Sequence, residues 1–371
     1  MSDEKALLDA IWEHPHDDTV RLAYADWLDE HEQPARAEFI RVQIGAARLN
    51  RWDEPYPALV KREDELLVKH EAEWRAKVPK KWVKSQFHRG FLQLNVSGLS
   101  FETLTKLTVR QLKLAPLARY HYNLRARDYN AFLEWPGAVF QDLFAPRPPL
   151  PDGWLDRLLV CDRLRNASEV AFICDPRAVL TADEVRGVLD TWANRHLVAF
   201  RFASEARTGA AEDADTAAYE VMAGHRALAN VRRLDLHSTR PGPVGLHALG
   251  HSPHLDNLRE LELSGAHVGD AELTELCRSP LLPSLRELWL TGCEVGDEGA
   301  VALANSPAAS GLRVLSVFRN NIGPDGLRAL ARSPHLTGLR RLELAQNPGG
   351  RYAEVNAELQ ARFGHMSRFR V

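Results

Sequence analysis

The sequence predicts an α/β solenoid, with parallel strands inside and helices outside, joined to a small N-terminal helical domain. Two patterns predict this fold: the C-terminal half repeats itself every 27 residues, and the first 50 residues follow an unrelated helical pattern. The composition is that of a folded globular chain, since 45% of the 371 residues are hydrophobic and 26% are charged. A formal net charge of -3 gives no overall preference for nucleic acid or an anionic membrane.

The repeat is defined by the hydrophobic frame L-x-x-L-x-L. It begins at Val231, Leu258, Leu285, Leu312 and Leu339, each 27 residues after the last. A glycine recurs with the same step, at Gly242, Gly269, Gly296 and Gly323, and so does a Ser-Pro dipeptide, at Ser252, Ser279, Ser306 and Ser333. Apolar pairs three residues apart between them are typical of one helix face, and proline ends that helix. One unit therefore reads strand, turn, helix, turn, and neighbouring units must stack to bury their apolar faces.

The frame continues into a position that is Cys293, Asn320 or Asn347 in three units. This L-x-x-L-x-L-x-x-N/C pattern and its period resemble the leucine-rich-repeat family, whose units span about 20 to 29 residues. Units with a helix and with cysteine or asparagine at this position are similar to the ribonuclease-inhibitor type. Thr239 and Ala266 depart from the pattern, and we expect them to loosen the asparagine ladder. The resemblance implies an arc with a concave strand face.

Weaker units precede the five clear ones. Leu197, Phe200 and Phe202 fit a strand, but Leu197 precedes the first clear frame at Val231 by more than one regular step. This unit would carry seven extra residues, which we place in a polar, acidic loop over 204–215. A further regular step back from Leu197 reaches Val170, so that we expect about seven units in all.

These units divide the repeat region into three parts. We predict degenerate repeats over 166–230, regular repeats over 231–348 and a C-terminal cap over 349–371. The cap contains an amphipathic segment, Tyr352 to Phe363, which predicts a helix that shields the last repeat from water.

Residues 1–50 show three helical patterns. Their apolar stripes are Leu7, Leu8, Ile11 and Trp12, then Val20, Tyr24, Trp27 and Leu28, then Phe39, Ile40 and Gln43. Asp17 or Asp18 can cap the second helix, and Pro34 can open the third. The runs 17–31 and 36–43 resemble the bacterial repeat-companion domain, which implies a helical head followed by repeats.

The resemblance to the companion domain extends, through Arg89-Gly90-Phe91, to about residue 95. Residues 51–165 are predicted to form a connecting region of helical and mixed structure. Within it, residues 60–85 read as a helix and 91–96 as a strand, while Leu104, Leu107 and Leu112 indicate a helix in the otherwise unassigned stretch 100–165.

Motifs for catalysis are absent from the sequence. It contains no phosphate-binding G-x-x-x-x-G-K-[ST], no G-x-G-x-x-G, no G-x-S-x-G and no H-E-x-x-H. We therefore predict a protein that is not an enzyme and has no catalytic residue, cofactor or metal; the alternative is a divergent active site in the stretch 100–165. Charged residues at the start, no run of about 20 apolar residues and few cysteines lead us to expect a cytoplasmic protein without a membrane span. Cys277 and Cys293 fall at interior repeat positions, where packing is expected.

Equivalent positions on stacked strands form columns across the predicted concave surface. The three columns are Arg232, Arg259, Arg286, Arg313 and Arg340; Asp235, Glu262, Trp289, Ser316 and Glu343; and His237, Ser264, Thr291, Phe318 and Ala345. We expect the second and third columns to face solvent. The arginine column is either neutralised by nearby glutamates or available to an acidic partner.

Large aromatic side chains on an open surface are typical of interaction sites. Trp289 and Phe318 lie on adjacent strands, so we predict that they contact a protein partner, whose identity the sequence does not give. The alternative is that flanking arginines stack over the rings and that the rings bind nothing. The predicted partner-binding residues are Trp289, Phe318, Arg259, Arg286, Arg313 and Glu262.

A second hypothesis places nucleic-acid binding in the head, with the repeats as a scaffold. The basic residues Lys77, Lys80, Lys81, Lys84 and Arg89 lie near Trp74, Trp82 and Phe87 in the sequence. Cations that contact phosphates, interleaved with aromatics that stack on bases, are typical of single-strand binding. The opposing interpretation is an amphipathic segment that covers the start of the repeat core.

Overall fold

In the computed structural model the chain divides into two compact units. One comprises residues 1–143 with 161–168, and the other comprises 144–160 with 169–371. The structure describes residues 3–14, 17–49, 53–76, 86–95, 117–119, 142–144, 169–174, 181–193, 197–204, 212–364 and 368–370. Within these ranges, every helix is too short or too polar to cross a bilayer. The helix predicted around Leu104, Leu107 and Leu112 lies outside the described residues.

The first unit begins with helices whose starts follow from local sequence. They are α1 (Asp3–Glu13), α2 (Asp18–Glu30), α3 (Pro34–Arg48) and α4 (Tyr56–Trp74). Asp17 caps α2 by accepting a hydrogen bond from the Thr19 backbone N–H at 2.8 Å, and Pro34 opens α3 as predicted. Ile11, Tyr24 and Ile40 pack into one core. The predicted stripe is wrong at Leu8, which is 38% exposed.

The first unit also contains a small sheet. Strands β1 (Gln86–His88) and β2 (Phe91–Asn95) pair antiparallel, and β3 (Leu117–Arg119) pairs parallel to β2. The hairpin turn is tied to α3, because the Gln43 side chain accepts from the Gly90 N–H at 2.6 Å and Arg36 donates to the Gly90 carbonyl at 2.5 Å. The hairpin therefore belongs to the same structural unit as the helices.

Within the described residues, the second sheet has nine strands in sequence order. They are β4 (Asp142–Phe144), β5 (Glu169–Cys174), β6 (Ala199–Ser204), β7 (Arg233–Asp235), β8 (Glu260–Glu262), β9 (Glu287–Trp289), β10 (Val314–Ser316), β11 (Arg341–Glu343) and β12 (Arg368–Arg370). Neighbouring strands from β5 to β12 pair parallel. From β7 onward each residue pairs with the residue one repeat period later, as Leu261 does with Leu288. The repeat frame is therefore the hydrogen-bonding register of the sheet.

Helices lie between the strands of the second unit. They are α5 (Ala182–Trp192), α6 (Glu212–Ala223), α7 (Gly242–Gly250), α8 (Asp270–Arg278), α9 (Asp297–Ala304), α10 (Pro324–Arg332) and α11 (Ala353–Phe363). The frame leucines and the helix-face leucines, for example Leu288 and Leu303, are fully buried between the two layers. Alternation of strand and helix with parallel pairing confirms the predicted α/β solenoid.

The side chain of Asn320 links two neighbouring repeats. Its Oδ1 accepts from the backbone N–H groups of Cys293 and Val295, at 2.8 and 3.1 Å, and its Nδ2 donates to the Leu290 carbonyl at 2.7 Å. Asn347 makes equivalent bonds one repeat later. The asparagine therefore satisfies backbone groups that the turn leaves without partners.

The serine of each Ser-Pro dipeptide binds near a helix end. Ser252, Ser306 and Ser333 donate to the carbonyls of Ala223, Cys277 and Ala304 in the preceding repeat, at 2.6, 3.1 and 2.5 Å. Ser279 instead bonds within its own repeat, to Leu276. Proline thus stops the helix while serine satisfies a carbonyl at a helix end.

Both ends of the array differ in part from the prediction. The segment placed in a loop, 204–215, includes the end of β6 and the start of α6, which begins at Glu212. After the cap helix α11, the strand β12 pairs Phe369 with Leu342, again one repeat period apart. The sheet therefore continues into the region that we predicted only as a cap.

Candidate functional site

The candidate site lies on the open sheet face, which we define as the face formed by the side chains that flank the buried middle leucine of strands β7 to β11. Successive side chains of a strand point to opposite faces, so these flanking side chains turn away from the core. The register aligns Asp235, Glu262, Trp289, Ser316 and Glu343 in one column, as predicted.

The prediction that this whole column faces solvent is wrong at two positions. Asp235 is 3% exposed and Ser316 is fully buried, while Glu262, Trp289 and Glu343 are half-buried. The Ser316 hydroxyl lies 3.0 Å from the Thr291 hydroxyl and donates to Glu343 at 3.1 Å. A short side chain between larger neighbours is therefore covered although its position alternates outward.

The Asp235 carboxylate is buried by its own partners. The Arg201 Nε lies 2.5 Å from Asp235 Oδ2, and the His237 Nδ1 lies 2.7 Å from its Oδ1. Burial alone would raise the pKa of the Asp235 carboxyl, but the hydrogen bond from His237 and the charge of Arg201 outweigh burial and hold that pKa below its ordinary value. Asp235 is therefore a structural anion at the edge of the site.

Trp289 occupies the centre of the open sheet face. The guanidinium carbon of Arg341 lies 4.7 Å from the centroid of its ring, and Arg341 is in turn paired with Glu343 at 2.5 Å. This is cation–π geometry, so the predicted alternative of an arginine over the ring holds for Arg341, a residue outside the predicted arginine column. The Trp289 indole nitrogen is shielded from solvent and has no acceptor among the described residues.

Phe318 lies two residues after the end of the next strand, β10, in the neighbouring column. It is half-buried, and its carbonyl accepts from the Gly292 N–H at 2.9 Å. Within the described chain, its ring makes no ring contact with Trp289. The two aromatics are therefore separate features of the same face.

The arginine column has the predicted register, since the backbone N–H of Arg286 donates to the Arg259 carbonyl and that of Arg313 to the Arg286 carbonyl, both at 2.8 Å. Two of the nearby glutamates pair with arginines outside the column, since Glu260 pairs with Arg233 and Glu343 pairs with Arg341.

Carbonyl oxygens surround the arginine column instead. The Nη1 of Arg286 donates to Leu285 and Pro283 at 2.9 and 3.2 Å, and the Nη1 of Arg259 donates to Ser284 of the next repeat at 3.3 Å. These carbonyls close the short helical turn Leu282–Ser284, where cations are favoured. Burial, together with the charges of Arg286 and Arg340, lowers the pKa of Arg313. The column is thus a stripe of positive charge held by neutral partners.

Glu262 is a half-buried acid beside Trp289. Its Oε1 accepts from the Ser264 N–H at 2.9 Å. Burial raises the pKa of the Glu262 carboxyl above its ordinary value, and the negative charge of Asp235 acts in the same direction. On the open sheet face, the surroundings of Glu262 therefore disfavour the charged form of its carboxyl when no partner is bound.

A groove of about 760 Å³ follows the carboxyl ends of the strands. It is lined by Ser238, Gly265, Thr291, Gly292, Glu294, Arg319, Asn320 and Asn321. Four equivalent positions of successive repeats there, Ser238, Gly265, Gly292 and Arg319, have a positive φ, and the two glycines lie at +69° and +65°, where a side chain would be strained. The groove was not predicted from the sequence, although the spacing of these two glycines by one repeat period was a usable signal.

The residues of the nucleic-acid hypothesis are only partly described. Lys77, Lys80, Lys81, Lys84 and Trp82 lie outside the described residues. The Trp74 and Phe87 rings pack against Phe39, at centroid distances of 4.7 and 5.3 Å, and the Arg36 guanidinium lies over all three rings.

Arg89 lies in the hairpin turn and pairs with Asp18 at 3.2 Å. Its φ is +50°. Arg89, like the Trp74 and Phe87 rings, thus makes contacts within the head.

The comparison with protein families agrees with the geometry of two of the repeats. Residues 282–304 and 312–331 match the protein family described as Leucine Rich repeat. These two segments are similar to leucine-rich repeats. No curated protein matches the chain. A crystal structure of a Bacteroides fragilis protein, a structural genomics target, is similar at 15% sequence identity and a TM-score of 0.30, over 55% of this chain and 74% of that chain.

Proposed function

We propose that the chain is a non-enzymatic protein-interaction module, in which the leucine-rich repeats bind a protein partner on the open sheet face around Trp289. The observation that carries the proposal is the half-buried Trp289 ring at the centre of a strand column, between Glu262 on β8 and Ser316 on β10. Tryptophan and arginine are enriched among the residues that dominate interface energies. Phe318 adds a second apolar surface just beyond the adjacent strand β10.

The indole N–H of Trp289 supports this function. A shielded donor without an acceptor costs free energy in the isolated protein. A partner whose backbone carbonyl reaches the edge of the indole, in the plane of the ring, would supply the acceptor, while Arg341 keeps its ion pair with Glu343. Binding would then give the Trp289 N–H a hydrogen-bond acceptor and would also bury apolar area.

The arginine column suggests the charge of the partner. Arg259, Arg286 and Arg313 each donate to carbonyl oxygens, which are neutral partners and leave the positive charge in place. We propose that an acidic segment of the partner lies along these three arginines, which would speed association and make it sensitive to salt.

The finer classification belongs to the same proposal. We propose that the repeats are of the ribonuclease-inhibitor type and that residues 1–50, extended by the hairpin at Arg89-Gly90-Phe91, form a companion domain of the bacterial kind. The chain would act as an adaptor in the cytoplasm, with the head and the repeats available to different proteins.

The experiment compares interaction partners of the wild-type chain with those of two variants. Each purified chain serves as bait in lysate of the source organism, and captured proteins are quantified by mass spectrometry. Trp289→Ala with Phe318→Ala should lose one or more partners. Tyr352→Ala is the control, because Tyr352 is an exposed aromatic, 47% accessible, at the start of α11 and outside the strand columns.

Affinity for a recovered partner gives the quantitative test. Trp289→Ala alone should weaken binding by about 2 kcal/mol or more, roughly 30-fold, while its circular dichroism spectrum stays that of the wild type. Arg286→Gln should reduce both the affinity and its dependence on salt. Equal capture by wild type and the double variant would remove the open sheet face as the binding surface.

A further inference from the structure

Two histidines and a glutamate come together on neighbouring helices of the solenoid. His247 lies on α7, His251 is its C-terminal cap residue, and Glu275 lies on α8 of the next repeat. One ring nitrogen of each histidine and one carboxylate oxygen of Glu275 all lie within 4.8 Å of one another. The cluster is on the helix layer and is separate from the open sheet face.

Helix geometry brings the two histidines together. They are four residues apart, so they occupy the same side of one helical turn, and their rings stack with centroids 4.2 Å apart. The His251 Nδ1 lies 3.0 Å from the His247 carbonyl oxygen. Because a carbonyl can only accept, Nδ1 of His251 carries the proton and its Nε2 keeps a free lone pair. A metal-binding histidine is commonly oriented in this way, through a hydrogen bond from its other nitrogen.

The carboxylate completes the set from the neighbouring repeat. The Glu275 Oε1 lies 2.6 Å from the His247 Nδ1, and the two side chains are 31% and 59% exposed. Two ligands of one tetrahedral zinc ion, each about 2.0–2.1 Å from it, lie about 3.3 Å apart. Opening this pair to that distance requires only a small rotation of two exposed side chains, after which the ion takes the place of the shared proton.

We propose that His247, His251 and Glu275 form a binding site for a divalent transition metal of the Zn²⁺ class, which clips α7 to α8. Two imidazoles with one carboxylate suit zinc, nickel and copper, whereas Mg²⁺ and Ca²⁺ prefer oxygen ligands alone. Three protein ligands leave the remaining position to water. Because the ligands come from two successive repeats, the bound ion stabilises the contact between those repeats. The site acts independently of the proposed protein-binding face.

The test uses the full chain, freed of any affinity tag and stripped with EDTA, and titrates it with ZnCl₂ by isothermal calorimetry. Wild type should bind one high-affinity equivalent. His247→Gln and His251→Gln should each weaken that equivalent at least 10-fold, and Glu275→Gln should weaken it several-fold. The melting temperature should rise with Zn²⁺ in wild type but not in the two histidine variants, and MgCl₂ should have no effect.

His267→Gln is the matched control. His267 pairs with Glu294 at 3.0 Å across a comparable exposed contact, but Arg240 approaches its other nitrogen at 3.3 Å in place of a second histidine. This variant should bind Zn²⁺ like wild type. The proposal is overturned if wild type takes up no high-affinity Zn²⁺, if His251→Gln binds it with wild-type affinity, or if His267→Gln loses as much affinity as His251→Gln does.

Discussion

The carboxylate of Asp270 caps the helix of the following repeat through Gly296. Its Oδ1 accepts from the Gly296 backbone N–H at 2.7 Å and from the Gly299 N–H at 2.9 Å. A Cβ at either glycine would lie 2.8 or 2.6 Å from an oxygen of this carboxylate, so the close approach requires glycine. Asp297 repeats the arrangement by accepting from Gly326 at 2.7 Å. Hydrogen bonds from glycine N–H groups to an aspartate of the preceding repeat thus join consecutive repeats.

The first prediction concerns this cap. Asp270→Ala leaves two N–H groups at the start of α9 without their acceptor and removes a negative charge from a helix N-terminus, so it should lower the free energy of unfolding by about 1–2 kcal/mol. Urea unfolding followed by circular dichroism measures the effect. Asp325→Ala is the control, because the contact of Asp325 among the described residues is an exposed ion pair with Arg328, and its loss should cost under about 0.5 kcal/mol. Equal losses in the two variants would show that Asp270 contributes no more than a surface charge.

Most of the geometry of the repeat could be predicted from the sequence. The repeat period is visible in Leu261, Leu288 and Leu315, and it predicts the sheet register directly because burial imposes the hydrophobic frame. The recurrence of glycine is also visible in the sequence, but the sequence does not show why glycine is needed there. At Gly296 the backbone φ is -104°, so the requirement comes from the Asp270 carboxylate in another repeat and not from backbone conformation.

Less of the candidate site could be predicted from the sequence. Alternation predicts which way a side chain points but not what covers it, and Asp235 is covered because Arg201, its register partner on the adjacent strand β6, binds its carboxylate. Arg341 was not expected over Trp289, since its position depends on a rotamer that alternation does not determine. The pair His247 and Glu275 is a contact between helices of neighbouring repeats, 28 residues apart, and no local motif marks it.

The second prediction is a pH dependence at Asp235. Because the folded-state pKa of this carboxyl is lowered, its stabilising effect is fully present above its ordinary pKa of about 3.9 and is lost as the pH falls through the lower folded-state value. Asp235→Asn should therefore destabilise the protein by about 2 kcal/mol or more at pH 7, since Arg201 loses its buried partner, and by progressively less below pH 4. Urea unfolding at pH values from 7 to 3 measures this trend.

Glu262 is the control, because its effect on stability should change with pH in the opposite direction. Its folded-state pKa is raised, so the fold loses stability as the pH rises from its ordinary value through that raised value. Glu262→Gln removes this loss and should be neutral or stabilising at pH 7. A destabilisation by Asp235→Asn that stayed constant with pH would contradict the assignment of Asp235 as a charged partner.

The third prediction tests the hairpin turn of the head. Gly90 has a φ of +85°, and a Cβ there would lie 2.4 Å from the Ile40 side chain. Gly90→Ala should therefore displace the hairpin from α3 and destabilise the first unit by more than about 2 kcal/mol. Hydrogen exchange of the α3 amides measures this locally. Gly45→Ala is the control, since a Cβ within α3 would meet Leu59 at an ordinary 3.4 Å and alanine favours the helix; faster exchange in Gly45→Ala than in Gly90→Ala would refute the argument.

The fourth prediction concerns the thiols of the repeat core. Burial raises the pKa of Cys277 to about 12 and that of Cys293 to about 11, so that at pH 8 each thiolate is about 100-fold or more rarer than in an exposed cysteine. In a chain with Cys161→Ser and Cys174→Ser, iodoacetamide should alkylate the folded protein at least 100-fold more slowly than the urea-unfolded protein, as measured by intact mass. Adding Val244→Cys, at a position 58% exposed on α7, should give one thiol that reacts almost as fast as in the unfolded chain. Rapid labelling of Cys277 or Cys293 in the folded protein would mean that the helix layer opens often enough to expose them, and that these positions are not the closed core that the leucine frame requires.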